Sequence, residues 1–455
     1  MSELHRKALT VPGVNTGKTI SRKARSRQSS AASSRQASRA NSRIGSRVNT
    51  DDELDSVAGD LSDRDGNERE DKKLTLAREN SYGSLANDGE GEEFLTVGVE
   101  KRDWEEELAE AVDRICERKK TGYQEREQAL SAYIAILLRK YAKEQIFFKK
   151  SEIVSSCLRS VKNGRTERES LLAAKSLGLT IITDPSEDVY DAVAQTFKAV
   201  ITDHASLPLK AALIHYLGAA AFYGGATTAE TEGIMAFFLD IVESDGHDVG
   251  AGDDAAVVTA ALEEWGFLCT QLEDAEEITH AAIEALVQQL DSSEVNVQVA
   301  AGENIALLYE KSYTEAEEDE LDDRNEAGLK WVQRYQPYGQ VTALKGTLAR
   351  LSSGSRRYLS KRDKKSQKSA FADIAHSLDN PLKGPRFSEA LDRDGAVRGS
   401  RMTVRVHKTG VLRVDKWWKL LRVQHLRRLL GGGFLNHWTD NPVIFESLSL
   451  FVEQY

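Results

Sequence analysis

Histidine and cysteine are the residues most able to hold a metal or move a proton near neutral pH. The 455-residue chain has nine histidines, dispersed, with no H-x-x-x-H or H-E-x-x-H spacing. Cys116, Cys157 and Cys269 lie far apart, with no C-x-x-C. That argues against a thiolate zinc site and a disulfide framework, and for a reducing compartment. There is no G-x-x-x-x-G-K-[ST], no G-x-G-x-x-G after a strand and no G-x-S-x-G. Gly431-Gly432-Gly433 follows a helix, the wrong context for a phosphate cradle. His215 sits on an apolar helix face and reads as a satisfied core residue. Cys269 reads as a buried, inert thiol. Glu263 and Glu264 are neighbours in a helix and are not expected to face each other. The sequence therefore predicts no catalytic residues, no metal, no cofactor and no small-molecule substrate.

A second chemistry is phosphate contact. Arg401, Arg405, Lys408, Arg413, Lys416, Lys419, Arg422, Arg427 and Arg428 crowd one stretch, with Trp417, Trp418, His437 and Trp438 nearby. Cations beside aromatics suit a nucleic-acid backbone, so these nine are the candidate nucleic-acid-binding residues. The aromatics themselves read better as core than as base-stacking platforms. Near the N-terminus, a basic residue stands three before Ser30, Ser38, Ser42 and Ser46. These are candidate phosphorylation sites for basophilic kinases, and a phosphate there would replace positive charge with negative.

The elements that position these residues follow from charge and period. The net charge of −11 is unevenly spread. Residues 1–50 hold 11 Lys/Arg against one acid, and residues 51–99 hold 15 acids against 5 bases. Residues 227–327 hold 27 acids against only Lys311 and Arg324. Residues 328–455 hold 24 bases against 10 acids. Basic blocks suggest nucleic acid; the acidic block suggests basic proteins or a solvated surface. Residues 1–98 show no sustained period and bury nothing, so they read as a disordered head, Arg/Ser-rich and then acidic. No run of 18 apolar residues exists, so no membrane span is expected.

From residue 99 the period becomes helical. Trp104, Leu108, Ala111, Val112 and Ile115 line one face, as do Ala129, Tyr133, Ile136 and Leu137. Thr166-x-x-Glu169 and Thr227-x-x-Glu230 fit capping boxes, and Asp184-Pro185 fits an N-cap before a first-turn proline. Four similar stretches centre on Gly178, Gly218, Gly266 and Ala306, spaced 40, 48 and 40 apart. The extra eight match the polar insertion Ser244–Gly252. A period of ~40 with two helices per unit is that of armadillo/HEAT-like α-solenoids. The fold class expected is mainly α. The domains expected are the head (1–98), the helical repeats (99–353), a basic linker (354–400) and a small basic α+β module (401–455). Residues 328–353 read as helical. Glu315–Asp323 reads as an exposed acidic spacer. In the last module, Met402–His407 and Val411–Val414 alternate at period 2 around Gly410, which predicts a β-hairpin. Asp415 then caps the helix KWWKLLRVQHLRRLL, whose apolar residues fall on all sides, so it should be largely covered.

This arrangement resembles the interferon-related developmental regulator family. The likeness rests on Leu359–Phe371, on Val411-Leu-Arg-Val-Asp-Lys-Trp417, and on Leu430-Gly-Gly-Gly-Phe-Leu-Asn-His-Trp438 with Asn441. The resemblance implies a non-enzymatic regulator of gene expression. It implies either a ribosome- or ribonucleoprotein-associated factor that regulates translation, or a nuclear transcriptional co-regulator that binds basic proteins or deacetylase complexes. Cytoplasmic and nuclear residence are both implied. Animal members continue into a basic tail, and activities residing there are not expected of a sequence ending at Tyr455.

Overall fold

A computed structural model describes residues 103–316 except 119, then 331–353, 361–391, 395, 397–405, 410–448 and 453–454. Ser30, Ser38, Ser42, Ser46, Lys408 and most of the acidic spacer lie outside these residues. Among the described residues the protein is mainly helical, and no helix is long and apolar enough to cross a membrane.

The helices pack as pairs: α1 (Trp104–Cys116) with α2 (Tyr123–Arg139), and, after the short α3 (Lys143–Phe147), α4 (Lys150–Asn163) with α5 (Glu167–Thr183). Next come α6 (Glu187–Asp203) with α7 (Leu207–Tyr223), α8 (Thr228–Glu243) with α9 (Ala255–Cys269), and α10 (Glu276–Gln289) with α11 (Val295–Lys311). A sixth pair is α12 (Val341–Ser353) with α13 (Lys361–Asp379). The second members, α2, α5, α7, α9, α11 and α13, pack on one another in chain order. This is repeat-like packing in two rows.

Sequence dictates which helix goes where. First-row helices have one buried face; in α6 it is Val189, Val193, Phe197, Val200 and Ile201. The middle second-row helices α5, α7, α9 and α11 are buried on nearly every side, and α9 is buried continuously from Val257 to Cys269. Such a helix needs cover all round. Its pair partner and its two row neighbours supply three sides. The last side is covered by residues 417–448, described below.

The small residues at the repeat centres mark the closest approaches. A Cβ on Gly178 would come within 2.5 Å of Tyr216, one on Gly218 within 2.3 Å of Glu264, and one on Gly266 within 1.9 Å of Asn304. Each contact is with the next helix of the row. In α11 the matching position is Gly302, facing Ile374 of α13, and not Ala306. The insertion Ser244–Gly252 contains the 3-10 turn His247–Val249. Buried Lys210 ties it down, donating to the carbonyls of Ile201 (2.8 Å), Thr202 (3.1 Å) and Val249.

Several details differ from the sequence expectation. Thr227 and Glu230 form the full capping box. Thr166 caps α5, but the Glu169 carboxylate binds Arg126 and the Arg165 amide instead of the Thr166 amide. Asp184 ends α5, and the N-cap of α6 is Ser186. Asp184 is drawn away by Lys150, 2.6 Å distant, and Lys143. Residues 331–333 are strand β2, antiparallel to β1 (Tyr313–Glu315), with Thr314 opposite Val332. Their β-branched and aromatic residues favour a strand, and Pro337 keeps α12 from starting until Val341. Helix α13 lies in the span read as a linker. Lys and Arg dominate its composition and mask Phe371, Ile374 and Leu378, which recur at helical spacing and are buried.

Beyond α13, β3 (Phe387–Leu391) and β4 (Val397–Ser400) pair antiparallel. The strands β5 (Thr403–Arg405), β6 (Gly410–Arg413) and β7 (Glu453–Gln454) form a sheet in that order. Val404 and Leu412 lie opposite each other on its covered face.

Candidate functional site

The basic C-terminal segment is seated across the second-row helices. Helix α14 (Trp417–Leu430) buries Trp417, Leu420, Leu421, Val423, His425, Leu426, Leu429 and Leu430. Its residues meet the row in reverse chain order. Trp417 and Gln424 touch α11, Leu421 and Arg422 reach α9, and Leu429 reaches α5. Leu421 and Leu429 come near Gly266 and Gly178, where the absent side chains leave room for them.

The first turn of a helix has free amides that need acceptors. Lys416, the N-cap of α14, supplies none, and Asp415 pairs with Lys419. Instead Glu310 of α11 caps the helix from outside. Its Oε2 accepts from the Trp417 amide (2.8 Å) and its Oε1 from the Trp418 amide (3.3 Å). Burial nonetheless dominates and pushes the Glu310 carboxyl up to about 7.

Arg422 does a matching job at the other polarity. It donates to Thr270 Oγ1 (2.9 Å) and to the carbonyls of Thr270 (3.0 Å) and Ser447 (2.8 Å). Thr270 is the C-cap of α9, so the guanidinium fills the orphan acceptors of that helix end. Its Cζ lies over the rings of Phe222 and Trp418, 5.0 and 4.9 Å from their centroids.

Glu264 is the centre of the buried polar network. Its Oε1 accepts from His215 Nδ1 (2.8 Å) and Arg428 Nη2 (3.1 Å), and its Oε2 from His425 Nδ1 (2.9 Å). Arg428 also reaches Glu263 Oε2, at 3.4 Å. The adjacent glutamates thus share one arginine. Burial disfavours ionised Glu264, but His425, His215 and Arg428 outweigh it and hold its carboxyl well below the usual range. Burial pushes the His425 imidazole below its ordinary value. A neutral His425 carrying its proton on Nδ1 fits an acceptor-only carboxylate. Its ring stacks on Phe267, centroids 3.7 Å apart.

The chain then turns at Gly431–Gly433. A Cβ on Gly433 would lie 2.0 Å from the Leu138 carbonyl oxygen. Helix α15 (Phe434–Asp440) follows, with His437 Nε2 donating to the Leu137 carbonyl at 2.5 Å. Asn441 donates to the Ile182 carbonyl (2.8 Å), and its Oδ1 caps α16 (Pro442–Ser447).

The nine candidate cations therefore separate into groups. Arg401, Arg405 and Arg413 are exposed on or beside the β5–β6 pair. Lys408 lies outside the described residues. Lys416, Lys419, Arg422, Arg427 and Arg428 are half-buried. Of these, Lys416 donates to the Leu382 carbonyl and lies over Trp331, 5.2 Å from its centroid. Sequence reasoning set Glu263 and Glu264 aside as helix neighbours that do not face each other, and overlooked Glu303 and Glu310. Its one available signal was acid inside otherwise apolar helices. Among the described residues no three His, Cys, Asp or Glu are grouped to hold a metal.

A helical-repeat protein sealed by its own basic C-terminal segment is the class these features define. The family model for the interferon-related developmental regulator (IFRD) matches residues 75–379. The chain belongs to that family. It is 29% identical over 350 residues to an uncharacterized protein of Schizosaccharomyces pombe, covering 75% of this chain and 73% of that protein. It is 22% identical over 375 residues to mouse interferon-related developmental regulator 2, covering 79% and 76%. It is also 22% identical over 370 residues to pig interferon-related developmental regulator 1, covering 78% and 73%.

Proposed function

We propose that this chain is a non-enzymatic regulator of gene expression that associates with ribosomes or ribonucleoprotein and regulates translation. On this reading the two-row repeats are of armadillo/HEAT type and serve as scaffold, and the basic C-terminal part touches RNA phosphates. The supporting observation is the outward face of the β5–β6 pair. Arg405 lies opposite Val411, and Arg413 lies opposite Thr403, so both arginines share the face away from Val404 and Leu412. Both are exposed, with exposed Arg401 just before them. The interface is accordingly narrower than nine residues. Arg422 and Arg428 hold the fold instead.

The test is sedimentation of tagged protein from lysate, with and without nuclease, at low and high salt. The wild type should co-migrate with ribosome-sized particles after mild nuclease and leave them at high salt. The variant Arg401→Glu/Arg405→Glu/Arg413→Glu should stay in light fractions. On single-stranded RNA the salt slope should fall by about 2 for three lost contacts. Unchanged co-migration of the triple variant would overturn the reading.

The second reading is a nuclear co-regulator scaffold whose acidic repeats, 227–327, bind basic proteins or deacetylase complexes. What favours it is that Lys311 is the single Lys or Arg between residues 227 and 316, and it is turned inward onto the Leu272 carbonyl. Protein partners that persist after acids in this span are replaced would count against it.

A further inference from the structure

On the outer side of the repeats, α8, α9 and α10 enclose a cavity of ≈ 250 Å³. Its floor is apolar: Met235 and Leu239 from α8, Ile278 from α10, and the Trp265 ring from α9. Its rim carries three exposed carboxylates, Glu232, Asp274 and Glu277. Trp265 is only 1% exposed. A buried indole N–H usually finds an acceptor. Trp417 follows that rule, donating to Ser377 Oγ at 2.8 Å. Trp265, on the cavity wall, makes no such bond to a described residue, and its Nε1 is not sealed from solvent, so the N–H stays open to the cavity.

An apolar floor, an indole donor without acceptor and an acidic rim define a ligand. It must offer an aliphatic group, a carbonyl oxygen and flanking cations. Small anions and acidic peptides are repelled by the rim. We propose that this cavity docks a basic peptide segment of a partner protein. One aliphatic side chain lies on the Met235–Ile278 floor, a backbone carbonyl accepts from Trp265, and neighbouring Lys or Arg side chains pair with Glu232, Asp274 and Glu277. The proposal deepens, and rests on, the reading that the acidic repeats bind basic proteins.

The test uses the full chain and two fluorescein-labelled 12-residue peptides of Lys and Gly, one with a central Leu, the other with Ser there. Binding is read by anisotropy. Burying the leucine should tighten binding about ten- to hundredfold over the serine peptide. Ala236→Phe/Ala281→Phe plugs the cavity from two exposed positions, which spares the core. It should bring the leucine peptide to the serine level and leave the serine peptide unchanged. Glu232→Gln/Glu277→Gln should weaken both peptides. Equal affinity for the two peptides, or no effect of the plug, would overturn the cavity as a site. Salt-sensitive binding of both would then leave the acidic-surface reading standing. Binding of neither would overturn both.

Discussion

The Oε2 of Glu264 lies 2.9 Å from Nδ1 of His425, across 161 positions of sequence. Through that contact α9, near the middle of the repeats, is joined to the helix that closes them. His215 of α7 and Arg428 of α14 share the same carboxylate.

Removing that carboxylate leaves half-buried Arg428 with only Glu263 and takes the acceptor from buried His425. Glu264→Ala should therefore lower unfolding free energy by about 3–5 kcal/mol, read from urea denaturation at pH 7. The pKa sign sets the pH dependence. Glu264 is held below its ordinary value, so its stabilisation is complete above the ordinary carboxylate range and is lost as pH falls from that range toward the lower folded value. The gap between wild type and Glu264→Gln should hold steady from pH 7 to pH 5.5 and narrow from pH 5 down to about pH 2.5. A gap that stays constant below pH 5 would show that the folded carboxyl is not held below its ordinary value.

Glu310 has the opposite sign. Its folded carboxyl titrates about 7, above its ordinary value. Its contribution is complete below the ordinary carboxylate pKa and is lost as pH rises through about 7. Glu310→Gln carries no such charge. Its stability relative to wild type should improve by up to ~3 kcal/mol between pH 4.5 and pH 8. Parallel pH profiles for the two proteins would refute this.

Two glycines should respond to alanine in opposite directions. At Gly433 the added methyl meets the Leu138 carbonyl, backbone that cannot swing aside. Gly433→Ala should cost about 1–3 kcal/mol. Gly346 lies inside α12 with nothing within 4 Å of an added Cβ. Gly346→Ala should stabilise by about 0.5–1 kcal/mol. Thermal melts of both variants settle the comparison.

The arginines should separate by function. Arg405→Ala and Arg413→Ala should change stability by no more than about 0.5 kcal/mol while weakening single-stranded RNA binding. Arg422→Ala leaves the buried Thr270 and Ser447 carbonyls without their donor. It should cost at least ~1–3 kcal/mol in melts, whatever it does to RNA. Equal destabilisation by all three would erase the division.

Much of this was legible in the sequence. Helical spacing marked the buried faces of α1 and α2, and Gly178, Gly218 and Gly266 gave the positions of closest approach before any partner was visible. His215 and Cys269 are buried, as their apolar surroundings require. Composition could not separate an arginine that meets solvent from one that meets a helix end, because Arg405 and Arg422 look alike in a list of cations. That distinction depends on Thr270, 152 positions away. The same non-local logic hid Glu264 and Glu310. In sequence they are two acids among many in a strongly acidic stretch; α14 brings Glu310 the amides it caps and adds His425 and Arg428 to the His215 that Glu264 already meets. Helix α13 was concealed for the reverse reason: its charged residues outvoted three well-spaced apolar ones.

The seating of residues 417–448 also bears on how the chain comes to be folded. An open array of repeats can fray one unit at a time, since each touches only its neighbours. Here one late segment reaches α11, α9, α5 and α2, so loosening any of them loosens the segment for all. Unfolding should be closer to all-or-none than repeat architecture suggests. Synthesis runs the other way. Every second-row helix leaves the ribosome before its cover does, and its apolar flank, with Glu264 still lacking His425 and Arg428 and Glu310 still lacking the α14 amides, stays bare until α14 emerges.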